Sequence, residues 1–302
     1  MMNNTLIVIL GPTGVGKSEV AVAVAGHFGS EIISADSRQF YREMKIGTAV
    51  PSDSMMKAIQ HHFVQFKSIN EYYSASLFER DVLELLPFLF EKNKLAIMAG
   101  GSGMYIDAVC NGIDDIPDTE PALREKYNAR YREEGIRSLR AELKILDPEY
   151  YASVDLRNHK RIIRALEICE TTGKPFSSFL TRKKIKREFR IVKIGLARNR
   201  AELYGLIDKR VDDMIEKGLE QEAKTLLEYR SNNALNSVGY KELFEFFDGR
   251  ISREQAVELI KRNSRRYAKR QMTWWARDME IKWFHPEKVQ NIIGYIEGMV
   301  GS

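Results

Sequence analysis

The chain has 302 residues, 44% of them apolar and 29% charged, a balance that belongs to one or two globular domains and excludes a disordered or membrane-embedded class. No apolar run approaches the ~18 residues that span a bilayer, the opening residues carry no signal-peptide pattern, and the two distant cysteines, Cys110 and Cys169, form neither a disulfide framework nor a metal pair, so buried thiols in a reducing cytoplasm are expected. A net charge of +5 is too small to name a polyanionic partner by itself, so its distribution along the chain matters more.

Residues 5–10 are an apolar, β-branched run, followed by loop glycines and then by small and apolar residues at helical spacing over 18–28. The same alternation returns with predicted strands at 31–35 and 95–99 and predicted helices at 74–90 and 104–110. Strands alternating with helices imply a parallel sheet covered on both faces. From 113 to about 187 strand character disappears, and 120–134, 136–146 and 158–171 read as helices separated by Gly135, Pro148 and Gly173. Strands return at 189–196 and 281–284, with helices between them, including one over 203–217.

Between the first strand and its helix lies Gly11-Pro12-Thr13-Gly14-Val15-Gly16-Lys17-Ser18, which fits the phosphate-binding pattern G-x-x-x-x-G-K-[ST] in the required context. Glycines allow successive N–H groups to surround an anion, the helix N-terminus adds positive potential, Lys17 adds a point charge, and Ser18 offers a hydroxyl to Mg²⁺. The expected fold is therefore α/β: a P-loop NTPase-like parallel sheet flanked by helices, built from 1–115 and 188–302, with an inserted all-helical domain at 116–187.

A P-loop does not choose its own chemistry. Asn93-Lys94 is followed by Leu95 and Ala96, which removes the carboxylate of a guanine-recognition motif, and the strand at 95–99 ends in Gly100-Gly101-Ser102-Gly103 rather than in a Mg²⁺-holding acid. An acid does follow the second strand, at Asp36. At the carboxyl end of a parallel strand it faces the ligand crevice, where it would take a proton from an attacking acceptor; equally it would cap its own turn. A small-molecule kinase would use such an aspartate too, whereas an RNA-binding protein with a regulatory P-loop gives it no role.

Asp36-Ser37-Arg38-Gln39-Phe40-Tyr41, followed by Lys45-Ile46-Gly47-Thr48-Ala49, resembles the bacterial tRNA dimethylallyltransferases, also called tRNA isopentenyltransferases. Gly100-Gly101-Ser102-Gly103-Met104-Tyr105 is similar to that family's Gly-Gly-Thr-Gly-Leu-Tyr, with serine for threonine. Lys160-Arg161-Ile162-Ile163-Arg164-Ala165-Leu166-Glu167, Val238-Gly239-Tyr240-Lys241-Glu242 and Tyr267-Ala268-Lys269-Arg270-Gln271 match later motifs in the same order, so the likeness spans nearly the whole chain. The resemblance implies transfer of a dimethylallyl group from its diphosphate to N6 of the adenosine 3′ of the anticodon, without ATP. It implies a diphosphate cradle of Gly11, Pro12, Thr13, Gly14, Val15, Gly16, Lys17 and Ser18 with Mg²⁺ on Ser18. Thr13, Lys17, Arg210 and the base Asp36 would form the catalytic set. RNA would be read by Asp36, Ser37, Arg38, Gln39, Ser102, Arg124, Lys160, Arg161, Ile162, Ile163 and Arg164.

The charge distribution agrees with an RNA partner, the tRNA anticodon stem-loop. Residues 251–283 carry nine basic and four acidic side chains, an excess equal to that of the whole chain. Arg262, Arg265, Arg266, Lys269 and Arg270 recur at helical spacing and predict a cationic stripe, with Lys269 and Arg270 set against backbone phosphate. Arg182-Lys183-Lys184-x-Lys186-Arg187 is a second basic patch. Of the adjacent Trp274 and Trp275, helix geometry sends one to the core and leaves the other for a base to stack on. His61-His62 lacks an acid or cysteine at ligand spacing. A monomer is expected.

Overall fold

The structure is a computed structural model that describes residues 4–114, 116–181 and 184–300. Arg182 and Lys183 of the second basic patch lie outside the described residues. The apolar run becomes the fully buried strand β1 (Thr5–Leu10), and the chain leaves it through the glycine loop into α1 (Lys17–Phe28). Then come β2 (Ile32–Ser34), α2 (Asp53–Ala58), β3 (His61–His62), α3 (Ala75–Lys92), β4 (Leu95–Gly100) and α4 (Gly103–Asn111). Four helices follow: α5 (Pro121–Glu134), α6 (Ile136–Leu146), α7 (Pro148–Ser153) and α8 (His159–Thr172). The chain continues through β5 (Arg190–Leu196), α9 (Arg200–Glu216), α10 (Leu219–Thr225), α11 (Tyr240–Phe247), α12 (Arg253–Trp275), β6 (Lys282–Phe284) and α13 (Val289–Val300).

Among the described residues the six strands form one parallel sheet in the order β3-β2-β4-β1-β5-β6. This is the α/β parallel sheet that the alternating pattern predicts. Side-chain alternation sends Leu6, Val8 and Leu10 of β1 into one core layer and Ile7 and Ile9 into the other, so the central strand is apolar throughout because both of its faces are covered. The strand β3 and the helices α2 and α7 escape sequence reading because two to six residues are too few to show a period. No helix among the described residues is long and apolar enough to cross a membrane.

The chain divides into two compact units, Met1–Asn111 with Lys186–Ser302, and Gly112–Ile185. The second has its own core around Tyr127, Leu139, Leu143, Ile162 and Leu166. Its fully buried Asp147 accepts hydrogen bonds from the Tyr150 N–H at 2.9 Å and from the N–H and hydroxyl of Ser177 at 2.6 and 2.8 Å, which satisfies a carboxylate that would otherwise be costly to bury. Cys110 and Cys169 are both buried and free.

Candidate active site

The loops after β1, β2 and β4 emerge at the carboxyl edge of the sheet, where parallel sheets bind ligands. After β1, Gly14 and Gly16 adopt φ of 77° and 103°, a left-handed backbone suited to glycine that turns amides inward, and α1 starts at the next residue with its N-terminus aimed into the same space. Lys17 Nζ donates to the Pro12 carbonyl at 2.8 Å, which folds the lysine back over the loop. Two cavities, of about 690 and 800 Å³, open here, and Thr13, Asp36, Arg210 and Met214 line both. The larger takes the P-loop from Thr13 to Ser18 together with the apolar Ile46, Val50 and Leu206. The smaller is rimmed by Arg38, Arg262, Arg266, Tyr267 and Arg270.

Charge is concentrated where the cavities meet. Burial lowers the Lys17 ammonium to about 8; Asp36 and Glu19 oppose that shift, while Arg210 adds to it. Burial likewise lowers the Arg210 guanidinium, again against Asp36 and Glu19. Arg210, half-buried, makes no hydrogen bond or ion pair among the described residues, an arrangement that favours an incoming anion. Asp36 does cap its turn, its Oδ1 accepting from the Arg38 N–H at 3.2 Å, and the same carboxylate faces both cavities. A site of this design can neutralise an anion on one side and presents a carboxylate to the other.

The family model described as IPP transferase matches residues 39–278. The chain is 55% identical over 285 residues to tRNA dimethylallyltransferase 2 of Porphyromonas gingivalis, covering 94% of this chain and 95% of that protein. It is 52% identical to tRNA dimethylallyltransferase of Christiangramia forsetii over the full length of both. The full-length tRNA isopentenylpyrophosphate transferase of Bacillus halodurans superposes with a TM-score of 0.72 at 35% identity, covering 99% of this chain and 97% of that one. The chain belongs to the IPP transferase family.

In this transferase the loop after β4 is tied to the loop after β2: buried Ser102 accepts from the Ser37 N–H at 2.9 Å and donates to the Ser37 hydroxyl at 3.1 Å. Tyr267 lines the smaller cavity, and burial and the Asp36 charge push its phenol up to about 12. Gln39 is buried, its amide donates to the Thr48 and Ala49 carbonyls, and it accepts from Ser34, so its side chain braces the next loop. Glu222, which sequence reasoning missed, holds that loop from the other side. Its carboxylate accepts from the N–H groups of Lys45, Ile46 and Gly47 and from the Tyr240 hydroxyl.

The helical unit carries further members of the expected RNA-reading set. Ile162 and Ile163 are buried in that unit's core, where β-branched side chains on the inner face of α8 belong. Arg124 forms a two-pronged pair with the fully buried Glu167 at 2.7 and 2.8 Å, and Arg164 bonds Thr119 and the Pro117 carbonyl, so both arginines neutralise and cap inside the unit. Lys160 and Arg161 are exposed. On α12 the predicted stripe divides: Arg265 pairs with Asp208 and, one turn earlier, Lys261 with Asp212, while Arg262, Lys269 and Arg270 make no ion pair among the described residues. Trp275 is buried and Trp274 half-exposed, as adjacent helical positions require.

The lowered Lys17 value has a measurable consequence. Bound diphosphate favours the charged lysine, so above pH about 8 binding must take up a proton, and affinity for pyrophosphate should fall up to about tenfold per pH unit. Titration calorimetry of the wild type against Lys17→Arg, which stays protonated, should show this extra fall only in the wild type.

Proposed function

We propose that the transferase moves a dimethylallyl group from dimethylallyl diphosphate to N6 of the adenosine 3′ of the anticodon in tRNA, releasing diphosphate. The observation that carries this reading is the shared wall of the two cavities, where Thr13, Asp36 and Arg210 face both. The larger cavity suits the donor: amides and cations for its diphosphate, and Ile46, Val50 and Leu206 beside them for its apolar tail. The smaller suits a nucleoside lifted out of its stack, with arginines at the rim to hold the backbone that delivers it.

In the transfer step the bond between the allylic carbon and the diphosphate oxygen breaks as the carbon bonds to N6. The amine proton passes to the Asp36 carboxylate, and the diphosphate charge that develops is met by Lys17, Arg210 and the P-loop amides. The Ser18 hydroxyl, with the Glu19 carboxylate lining the same cavity, would supply hard oxygen donors of the kind Mg²⁺ accepts alongside phosphate oxygens. When bound there, Mg²⁺ neutralises part of the leaving group's charge.

Incubation of the protein with unmodified tRNA and either dimethylallyl diphosphate or ATP, followed by mass spectrometry of the nucleosides, tests the reading. Prenylated adenosine should form with the first donor alone; its absence, or its dependence on ATP, rejects the assignment. The free cations of α12 supply a further expectation. Neutralising Lys269 and Arg270 together should lower the slope of log affinity for tRNA against log salt by roughly 1 to 2, and an unchanged slope would remove these residues from the RNA interface.

A further inference from the structure

Gln271 is a buried polar residue on the RNA-facing helix that the reaction step above does not use. It is 7% exposed, and both ends of its amide are occupied: Oε1 accepts from the Thr13 N–H at 2.9 Å and Nε2 donates to the Gly101 carbonyl at 2.7 Å. The approach is close enough to exclude a side chain at Gly101, since a methyl there would stand 2.5 Å from Gln271 Nε2 and 3.7 Å from Lys17 Nζ. One amide thus joins α12, the loop after β4 and the P-loop, at the residue of the P-loop that faces both cavities. Tyr267 and Arg270, on the preceding turn of the same helix, line the smaller cavity.

We infer that Gln271 is a positioning residue for the transfer reaction, a strut by which the RNA-facing helix sets the placement of Thr13 in the diphosphate cradle. The inference rests on the proposed dimethylallyl transfer for its kinetic meaning, and on the hydrogen bonds alone for its geometry. Only a side chain with an uncharged donor at one end and an acceptor at the other satisfies both backbone groups. Without it a part-buried N–H and a buried carbonyl lose their partners, and the loop moves to find others.

Three measurements on wild type, Gln271→Leu and Gln271→Glu test this. Gln271→Leu should bind the anticodon stem-loop within about threefold of wild type, bind pyrophosphate with Mg²⁺ about tenfold more weakly, and lose about 50- to 100-fold in kcat, as expected for a displaced catalytic loop in an otherwise folded enzyme. Gln271→Glu keeps the acceptor for Thr13 but must take a proton to donate to Gly101, so its activity relative to wild type should climb as pH falls from about 8 to 6. The strut is overturned if Gln271→Leu keeps kcat and pyrophosphate affinity within about threefold of wild type. It is equally overturned if kcat, stem-loop binding and melting temperature fall together while Gln271→Glu gains nothing at low pH, which is the signature of a folding role. A wild type that forms no prenylated adenosine would defeat the transfer reading, while the pyrophosphate titration would still decide the geometry.

Discussion

Asp36→Asn should lower kcat by about 10²- to 10⁴-fold while leaving tRNA affinity within about threefold. Asparagine retains the oxygen that accepts from the Arg38 N–H, so the turn after β2 keeps its cap and only the proton acceptor is lost. The aromatic amine of adenine is a poor nucleophile, and its attack depends on the proton leaving as the new bond forms. A second effect separates this account from simple damage. Asp36 is the opposing charge that acts most strongly on Lys17 and Arg210, and its negative charge also repels an incoming anion, so its removal should leave pyrophosphate affinity equal or higher at pH below about 8. Steady-state rates with tRNA saturating, together with pyrophosphate titration, provide the check; near-normal kcat would deny Asp36 its role.

Arg210→Gln should lower kcat by about 10²- to 10³-fold, because the guanidinium meets charge that appears only as diphosphate departs. The residue holds no partner within the protein among the described residues, so its loss breaks no ion pair and the melting temperature should stay within a few degrees or rise. Relief of the like charge beside Lys17 should also raise the lysine's pKa above its present value of about 8. A variant that folds normally, binds the donor and retains kcat would show that the P-loop alone carries the leaving group.

Much of the site is legible because it is local in sequence. The P-loop spacing from Gly11 to Ser18 and the strand before Asp36 are contiguous patterns, and the parallel sheet follows from the alternation around them. What stays hidden depends on partners far along the chain. Gln39 looks like an exposed reader beside Arg38, and only the folded loop at Thr48 and Ala49 reveals that its amide is already engaged. Arg124 and Arg164 look like free cations until Glu167 is found buried between them. Glu222 is one more acid on a charged helix and Gln271 closes a basic motif, and their contacts with Lys45 to Gly47 and with Thr13 exist only after the sheet assembles. Helical spacing placed Arg265 on one stripe with Arg270, but spacing carries no information about Asp208 on α9.

The central claim is that the P-loop grips a leaving diphosphate and breaks no phosphoanhydride bond. Quantifying phosphate products in the same reaction that consumes unmodified tRNA tests it most directly. The account predicts pyrophosphate released in equal amount to prenylated adenosine, with no orthophosphate and no dependence on added ATP. Orthophosphate or ADP appearing in step with modified tRNA would contradict it.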